Sequence, residues 1–547
     1  MRLSSSLTKR LSLFGSTAAG PNPVLIRELQ QAARLNRTPV LLASITVFVG
    51  LVMASIGGIV STHTEPASVG VALFQVFFSV AYVLVAWLGP AVAASSIAGE
   101  RSSRTWELLL VTGMSPGQIA RGKFLAALLY VCLYVVMLSP VACLSFLFGG
   151  VTVVELWSAL GILCLFGALW VAFALSISSK LASAGAALVV TLVIVIPASL
   201  VIYLSLGVGG SILAHQLWPA VPEGFPIWLP TAYARLPLAL DWVLLLAVTP
   251  LCLAGILAWF FYEATVANLS GIGDDRSTGL RRWFLVSAPL LAGISLLPAA
   301  AAPTEPLPLA LAAILGFEAF LVAMAFVFAG EPLGPSRRTA TRWQRLAASR
   351  WQRFLGPGVL EAGSSLIVSG ILCAAAQGGA ALLILKGAGA AAGDRELAAV
   401  AVTALHSAAL VILVTGLMTW LRSRAQGALA PRLQLGATLF VLCLGPWVLI
   451  AITGALDGSS RDLSGIAAPS PFYLAVVLEL LTEPTLPLPI PELWIGGAAL
   501  MTWALLGLSL FGLAIRRTRA VAAAHAARLA ALEAALGPPP EEQNAGG

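Results

Sequence analysis

Charge is what this sequence has least of. Asp, Glu, Lys and Arg together make up 10% of its 547 residues, against 59% hydrophobic, and the mean hydropathy is +0.94. A water-soluble surface needs roughly a quarter or more of charged residues, so a soluble globular protein of this length is excluded. Cysteine is also scarce. Cys132, Cys143, Cys164, Cys252, Cys373 and Cys443 all fall in apolar runs without paired spacing. That excludes a disulfide framework and a thiolate metal centre and reads as small buried residues. Four histidines, His63, His215, His406 and His525, stand too far apart for metal-ligand spacing. There is no nucleophile elbow, and Asp457, Asp462 and Glu483 are too scattered for an enzyme acting on lipid-linked substrates. The chain is expected to be no enzyme, to hold no metal and to need no cofactor.

What is present is long apolar runs. About 20 apolar residues as a helix cross a hydrocarbon layer about 30 Å thick, and twelve such runs can be read. The first six are Pro39–Ile59, Val71–Ala94, Phe124–Leu147, Leu156–Ile177, Ala184–Leu206 and Val243–Tyr262. The others are Phe284–Ala302, Leu309–Phe328, Leu366–Leu385, Leu397–Leu421, Leu435–Ala455 and Ile495–Ile515. The fold class is an all-α polytopic membrane protein. With the N-terminus inside, alternation leaves only Arg235, Lys386, Arg395 and Arg461 of the 31 basic residues outside. The positive-inside rule then puts both termini in the cytoplasm. A net charge of +7 follows from that topology and from anionic lipid; it calls for no nucleic acid.

Residues 1–22 are a basic, Ser-rich tail whose apolar patch at Leu11–Phe14 is too short for a signal peptide, so the first span is the insertion signal. Residues 23–38 pattern as an interfacial helix. Arg27, Gln30, Gln31, Arg34 and Arg37 share one face, and Ile26, Leu29 and Ala33 the other. Between spans two and three lies a polar island, IAGERSSRTWELLLVTGMSPGQIARGK, from Ile97 to Lys123. Thr105–Thr112 can form two helical turns with Gly113 as their C-terminal cap. Ser115, Pro116 and Gln118 then supply a helix start. Gly117 to Lys123 imitates a phosphate-binding loop, but Phe124 stands where Ser or Thr must hold magnesium and no strand precedes it. This chain is therefore expected not to hydrolyse ATP itself.

The segment GERSSRTWELLLVTGMSPGQIARGKFLAAL resembles the one between spans two and three of ABC-2 type transporter permeases. It carries Glu100, Arg101, Thr105, Glu107, Leu109, Leu110, Ser115, Pro116, Ile119, Gly122 and Lys123 at that family's pattern, with Trp106 where a small residue is commoner. Asn22-Pro23 and Arg27-Glu28 resemble the family's connecting helix, and the likeness covers roughly residues 22–262. It implies an export-type permease in a bacterial-type inner membrane, moved by a separate nucleotide-binding ATPase subunit. The contact would run through a coupling helix in residues 100–123, with Glu100, Arg101, Thr105, Glu107, Leu110, Ser115, Gly122 and Lys123 as candidates. Arg27, Glu28 and Arg34 are the candidates on the connecting helix.

Residues 39–262 make the six-span unit of that kind, residues 263–515 a second six-span unit, and residues 516–547 a C-terminal helix and tail. The second unit repeats the loop rhythm of the first, and Ala329-Gly330-Glu331 echoes Ala98-Gly99-Glu100. Two readings stand open: an unrelated extension, or a degenerate duplication that makes one chain a pseudo-dimer. In the first case a second permease copy must complete the pathway. The inner loop of the second unit places Trp343, Ala347, Trp351 and Phe354 on one face of a single helix. That face suits a headgroup-level helix or a second docking surface. The outer stretches Trp218–Leu229 and Pro471–Thr482 are too short to span; they can dip back into the membrane or lie as simple surface loops. Pro90, Pro140, Pro197, Pro250 and Pro446 are expected to kink spans, with neighbours taking up the freed carbonyls.

Glu318 lies mid-span, where a lone carboxylate costs several kcal/mol. His406 in the tenth span has matching depth and is the expected partner; a polar contact on a transport path and a purely structural bond both fit. A gradient-driven carrier is the alternative function, with Glu318 as its proton site. Against it, the loop between spans two and three lacks the Gly-x-x-x-Asp-Arg-x-Gly-Arg pattern of the large facilitator family.

Overall fold

The computed structural model describes residues 22–34, 37–60, 66–103, 105, 113–219, 221, 228–271, 273–302, 306–387, 393–457, 464–483, 485 and 487–536. Among them there are helices and no strands, and twelve helices are long and apolar enough to cross a membrane. The protein is an all-α polytopic membrane protein. Each apolar run read from the sequence lies within one of these helices, Ala302 excepted, which caps its helix end. The helices also expose large apolar side chains such as Leu51, Val193, Leu383, Phe440 and Met501, the covering a hydrocarbon solvent accepts.

The chain forms two compact units, Met1–Ser270 and Gly271–Gly547. Unit 1 holds α1 (Pro23–Arg34), α2 (Arg37–Val60), α3 (Pro66–Ser102), α4 (Pro116–Leu147) and α5 (Val153–Ser178). It continues with α6 (Ala184–Leu217), the short α7 (Trp228–Arg235) and α8 (Leu240–Leu269). α3 and α5 are its centre: α3 packs on α4, α5 and α6, and α5 on α4, α7 and α8. Phe74, Phe77, Phe78, Tyr82 and Val85 on α3 are all buried with Leu163 and Val171 of α5. Tyr82 meets Phe166 edge-on at 5.2 Å and donates its hydroxyl to the Ser199 carbonyl at 2.9 Å. A buried phenol needs such a partner.

Proline removes the donor its helix would have given four residues back, and two of the freed carbonyls are taken up locally. Ser139 donates to the Val136 carbonyl at 2.8 Å beside Pro140, and the Tyr233 hydroxyl reaches the Leu246 carbonyl below Pro250. The second case coincides with a π-helical turn over Val243–Val248.

Unit 2 holds α9 (Thr278–Ala301), α10 (Pro306–Phe328), α11 (Arg337–Arg345), α12 (Arg350–Leu355) and α13 (Val359–Gly387). Then come α14 (Asp394–Arg424), α15 (Leu429–Asp457), the short α16 (Tyr473–Thr482) and α17 (Ile490–Leu536). Its centre is α14, which packs on α10, α13, α16 and α17. The same neighbours recur in unit 1, where α5 packs on α3, α4, α7 and α8. In both units, therefore, the fourth span touches the second, the third, the last span and the short helix preceding it. The fifth spans differ: α6 lies chiefly on α3, while α15 lies on α14.

Two expectations need correction. The loop after α10 is two helices, because the Ser349–Gln352 capping box restarts the helix and Ala347 breaks it with φ +45°. Trp343 therefore does not share a face with Trp351. It packs where a Cβ on Gly356 would be 2.2 Å from its ring, while Trp351 is 71% exposed. Second, of the six unpaired cysteines only Cys373 is buried, and Cys143 is exposed. Their apolar surroundings include the outer faces of the helices, so hydropathy does not separate core from lipid side. Of the outer stretches, Pro471–Thr482 is largely helical. α16 forms most of it and buries Tyr473, Leu474, Val477 and Leu481.

Candidate functional site

In unit 1 four charged side chains meet where α1, the end of α3 and the start of α4 converge. Gly113 precedes α4 with φ +71°, a conformation that favours glycine. Ser115 and Gln118 then close the capping box, each side chain accepting from the other residue's amide N–H, with Pro116 as first residue. Two turns on, Gly122 faces α1. A Cβ there would lie 2.7 Å from the Val24 Cβ and 3.0 Å from the Asn22 side-chain oxygen, so a side chain at 122 would push α1 away. Asn22 fastens the approach by donating to the Gln118 carbonyl at 2.8 Å and accepting from the Val24 N–H at 3.0 Å.

Lys123 follows, its side chain only 1% exposed. Its ammonium lies 3.0 Å from Glu28 Oε1 and 3.1 Å from Glu100 Oε1, and donates to the Ser96 carbonyl at 3.0 Å. Arg27 closes the cluster from outside, 3.0 Å from Glu28 and in contact with Glu100. Two cations and two carboxylates cancel, which is how charges become tolerable away from water. Burial by itself would push the Arg27 guanidinium down; the Glu28 and Glu100 carboxylates outweigh it and the net shift is up. Burial would likewise push the Glu28 carboxyl up, but Lys123 and Arg27 hold it below the usual carboxylate range.

The Gly-Lys pair that imitates a phosphate-binding loop thus serves packing: glycine for approach, lysine for charge. Of the coupling-segment candidates, Glu100, Gly122 and Lys123 belong to this junction and Ser115 starts the helix that carries it. Arg101 is half-buried near the end of α3. Thr105 is exposed, its hydroxyl donating to the Glu100 carbonyl at 3.3 Å. Glu107 and Leu110 lie outside the described residues, as does the expected two-turn helix beyond Thr105. Arg34 closes α1, and its side chain is likewise outside them. We expect Lys123→Met to destabilise the protein by about 3 kcal/mol, since it leaves two carboxylates to share the single cation of Arg27. Thermal melting in detergent and protease access to α1 measure this; unchanged melting and cleavage would deny the cluster its role.

Unit 2 has its own cluster, which the sequence did not single out. Arg281, at the start of α9, is fully buried. Its guanidinium lies 3.6 Å from Glu331 and donates to the carbonyls of Phe354 at 2.6 Å, Gly356, and Gly358 at 3.0 Å. Glu331 accepts from the Ser277 hydroxyl at 2.5 Å, and its own carbonyl accepts from Arg422 at 2.6 Å. Burial pushes the Glu331 carboxyl up, against the pull of the Arg281 cation. Arg432 reaches the Phe326 and Val327 carbonyls at 3.0 and 3.2 Å, satisfying the orphan acceptors at the end of α10. The one sequence signal was the Ala-Gly-Glu echo. Glu100 and Glu331 each follow the same dipeptide near the end of their unit's second span, and each meets a buried cation.

Within the spans of unit 2, Glu318 and His406 do meet. Glu318 Oε2 lies 3.0 Å from His406 Nδ1 and accepts from the Ser407 hydroxyl at 2.6 Å; both residues of the pair are at most 9% exposed. Depth alone had suggested the pairing; Ser407 as third member had no sequence signal. Among the described residues no group of three or more His, Cys, Asp or Glu side chains could hold a metal ion. Compared with known proteins, the chain matches no family model and no curated protein.

Proposed function

We propose that this chain is the permease subunit of an ATP-driven, ABC-2 type exporter, coupled to a separate nucleotide-binding ATPase at the cytoplasmic face of an inner membrane. One observation carries the reading. The Arg27–Glu28–Glu100–Lys123 cluster locks the helix before the first span, the end of the second and the start of the third into one body. These are the flanks of the segment that resembles a coupling helix, so a push on residues 101–122 moves three helices together. The recurrence of the same helix neighbours in both units supports a pseudo-dimer in which one chain supplies both halves of the pathway. ATP closure of the partner would switch the bundle between inward- and outward-facing states.

The second reading is a gradient-driven carrier, favoured by the Glu318–His406 pair, which can hold a proton inside the spans. One experiment separates the two: pull-down of the tagged protein from its native membrane, with transport followed as ATP is depleted. Recovery of an ATP-binding subunit, weakened severalfold by Glu107→Lys while insertion is unchanged, is the expected result. Recovery of the protein alone, with transport surviving ATP depletion, would replace the exporter by the carrier.

A further inference from the structure

His406 has a second ring nitrogen, and no described residue bonds to it. Nε2 is buried and has no hydrogen-bond partner, on a residue only 5% exposed. His406 lines a cavity of about 170 Å³ between α14, α16 and α17, whose walls include Val402, Tyr473, Val477, Leu500 and Trp503. The Trp503 ring stands 5.5 Å from the imidazole, edge to face.

Glu318 and His406 are the pair, and a net charge is costly at this depth. With one proton on the Oε2–Nδ1 contact, a neutral pair holds its second proton on Nε2 or on the other carboxyl oxygen, Oε1. Nε2 holds it in two forms: carboxylate with imidazolium, or carboxylic acid donating to Nδ1. In the first, both ring nitrogens carry protons; in the second, Nδ1 accepts and the ring proton must sit on Nε2. In both of these forms Nε2 carries an N–H on a residue that lines a largely apolar hollow, and an acceptor bound there selects them over the Oε1 form. A buried donor without an acceptor costs about 1–3 kcal/mol, and the cavity is large enough for one aromatic ring or a chain end.

We propose that this cavity is a binding site for an apolar molecule bearing one hydrogen-bond acceptor, a carbonyl or carboxylate oxygen that takes the His406 Nε2 proton. The walls hold the hydrocarbon part by area and His406 orients the oxygen. Glu318 and Ser407 set the histidine's ring and proton without touching the ligand. Binding here does not depend on what drives transport, so it can fail or stand independently of the exporter reading.

The test uses purified full-length protein in nanodiscs and three matched phenyl-diazirine photoprobes carrying a methyl ester, a carboxylate or an ethyl group. Labelled peptides are mapped after illumination. The ester or the acid is expected to label residues 402–410, 473–477 or 496–503, and the better of the two identifies the ligand as ester-like or acid-like. The ethyl probe is expected to label roughly tenfold less, the loss of one hydrogen bond to a polar group. His406→Leu should bring the oxygenated probes down to the ethyl level. Gly496→Leu leaves the Glu318–His406 pair intact. The Cβ there would lie 3.5 Å from the Tyr473 ring, so the leucine fills the hollow, and it should abolish labelling by all three. Equal labelling by the three probes, persistence in Gly496→Leu, or no label at these peptides would each overturn the proposal.

Discussion

Replacing Arg281 by Met is expected to be the most damaging single change in the protein, at about 3–5 kcal/mol. The side chain is fully buried, bonds three alternate carbonyls from the end of α12 onward and neutralises Glu331. Met matches the length of the stem but supplies no donor. The carbonyls of Phe354, Gly356 and Gly358 would lose the Arg281 donors, Gly358 keeping the Ala362 N–H, and Glu331 would keep the Ser277 hydroxyl and the Gly358 N–H but no cation in contact. The effect separates into two parts. Adding Glu331→Gln removes the stranded carboxylate and should restore part of the loss, while the freed carbonyls keep the remainder. Thermal melting of the two variants in detergent reads both parts. A single variant as stable as the parent would show that water reaches these groups, and the assignment of Arg281 as the pin of this loop would fall.

Gly416→Val should be nearly as severe, for a different reason. α14 and α17 pass backbone against backbone: a Cβ on Gly416 would lie 2.1 Å from the Gly507 carbonyl oxygen, and one on Gly507 would lie 2.4 Å from the Ile412 carbonyl oxygen. Inserted side chains typically cost about 1–3 kcal/mol when neighbouring side chains can shift. Here the obstacle is main chain, so the helices themselves must separate and lose their van der Waals contact, which is the force that packs helices in lipid. The expected result is loss of folded protein from the membrane fraction or a melting temperature many degrees lower. Gly379→Val on α13 is the control, because a Cβ there meets nothing within 4 Å. If Gly416→Val and Gly379→Val behave alike, the close crossing is not what holds α14 to α17.

These two sites mark the boundary of what a linear reading reaches. The spans were legible because a hydrocarbon layer imposes a length and a polarity on every helix that crosses it, and that constraint acts locally along the chain. The Ser115–Gln118 cap and the Gly113 turn were legible for the same reason, since a cap is satisfied by residues three apart. Asn22, Arg27, Glu28, Glu100, Gly122 and Lys123 could be picked out one by one, through their resemblance to a family pattern. Their convergence on one neutral cluster could not, because it joins residues nearly a hundred positions apart. Glu318 and His406 were paired by depth, yet depth fixes one coordinate of three, and it was helix packing that brought them to 3.0 Å with Ser407 beside them.

The tertiary structure alone decided which glycines are contacts and which are lipid-facing. Gly416 and Gly379 look alike in a sequence where glycine and alanine are common throughout. It alone decided that Arg281 is a buried pin, when by position it reads as one more basic residue at a span end. It also split the Trp343–Trp351 face in two and left one buried nitrogen of His406 without a partner among the described residues. The sequence by itself determined that this is a twelve-span helical membrane protein, because hydrophobicity and helix length are properties of short stretches of chain. Which side chains meet, and which polar atoms remain without partners, is set by how the helices cross, and in lipid that crossing is chosen by shape and by pairing of rare charges, neither of which leaves a periodic trace.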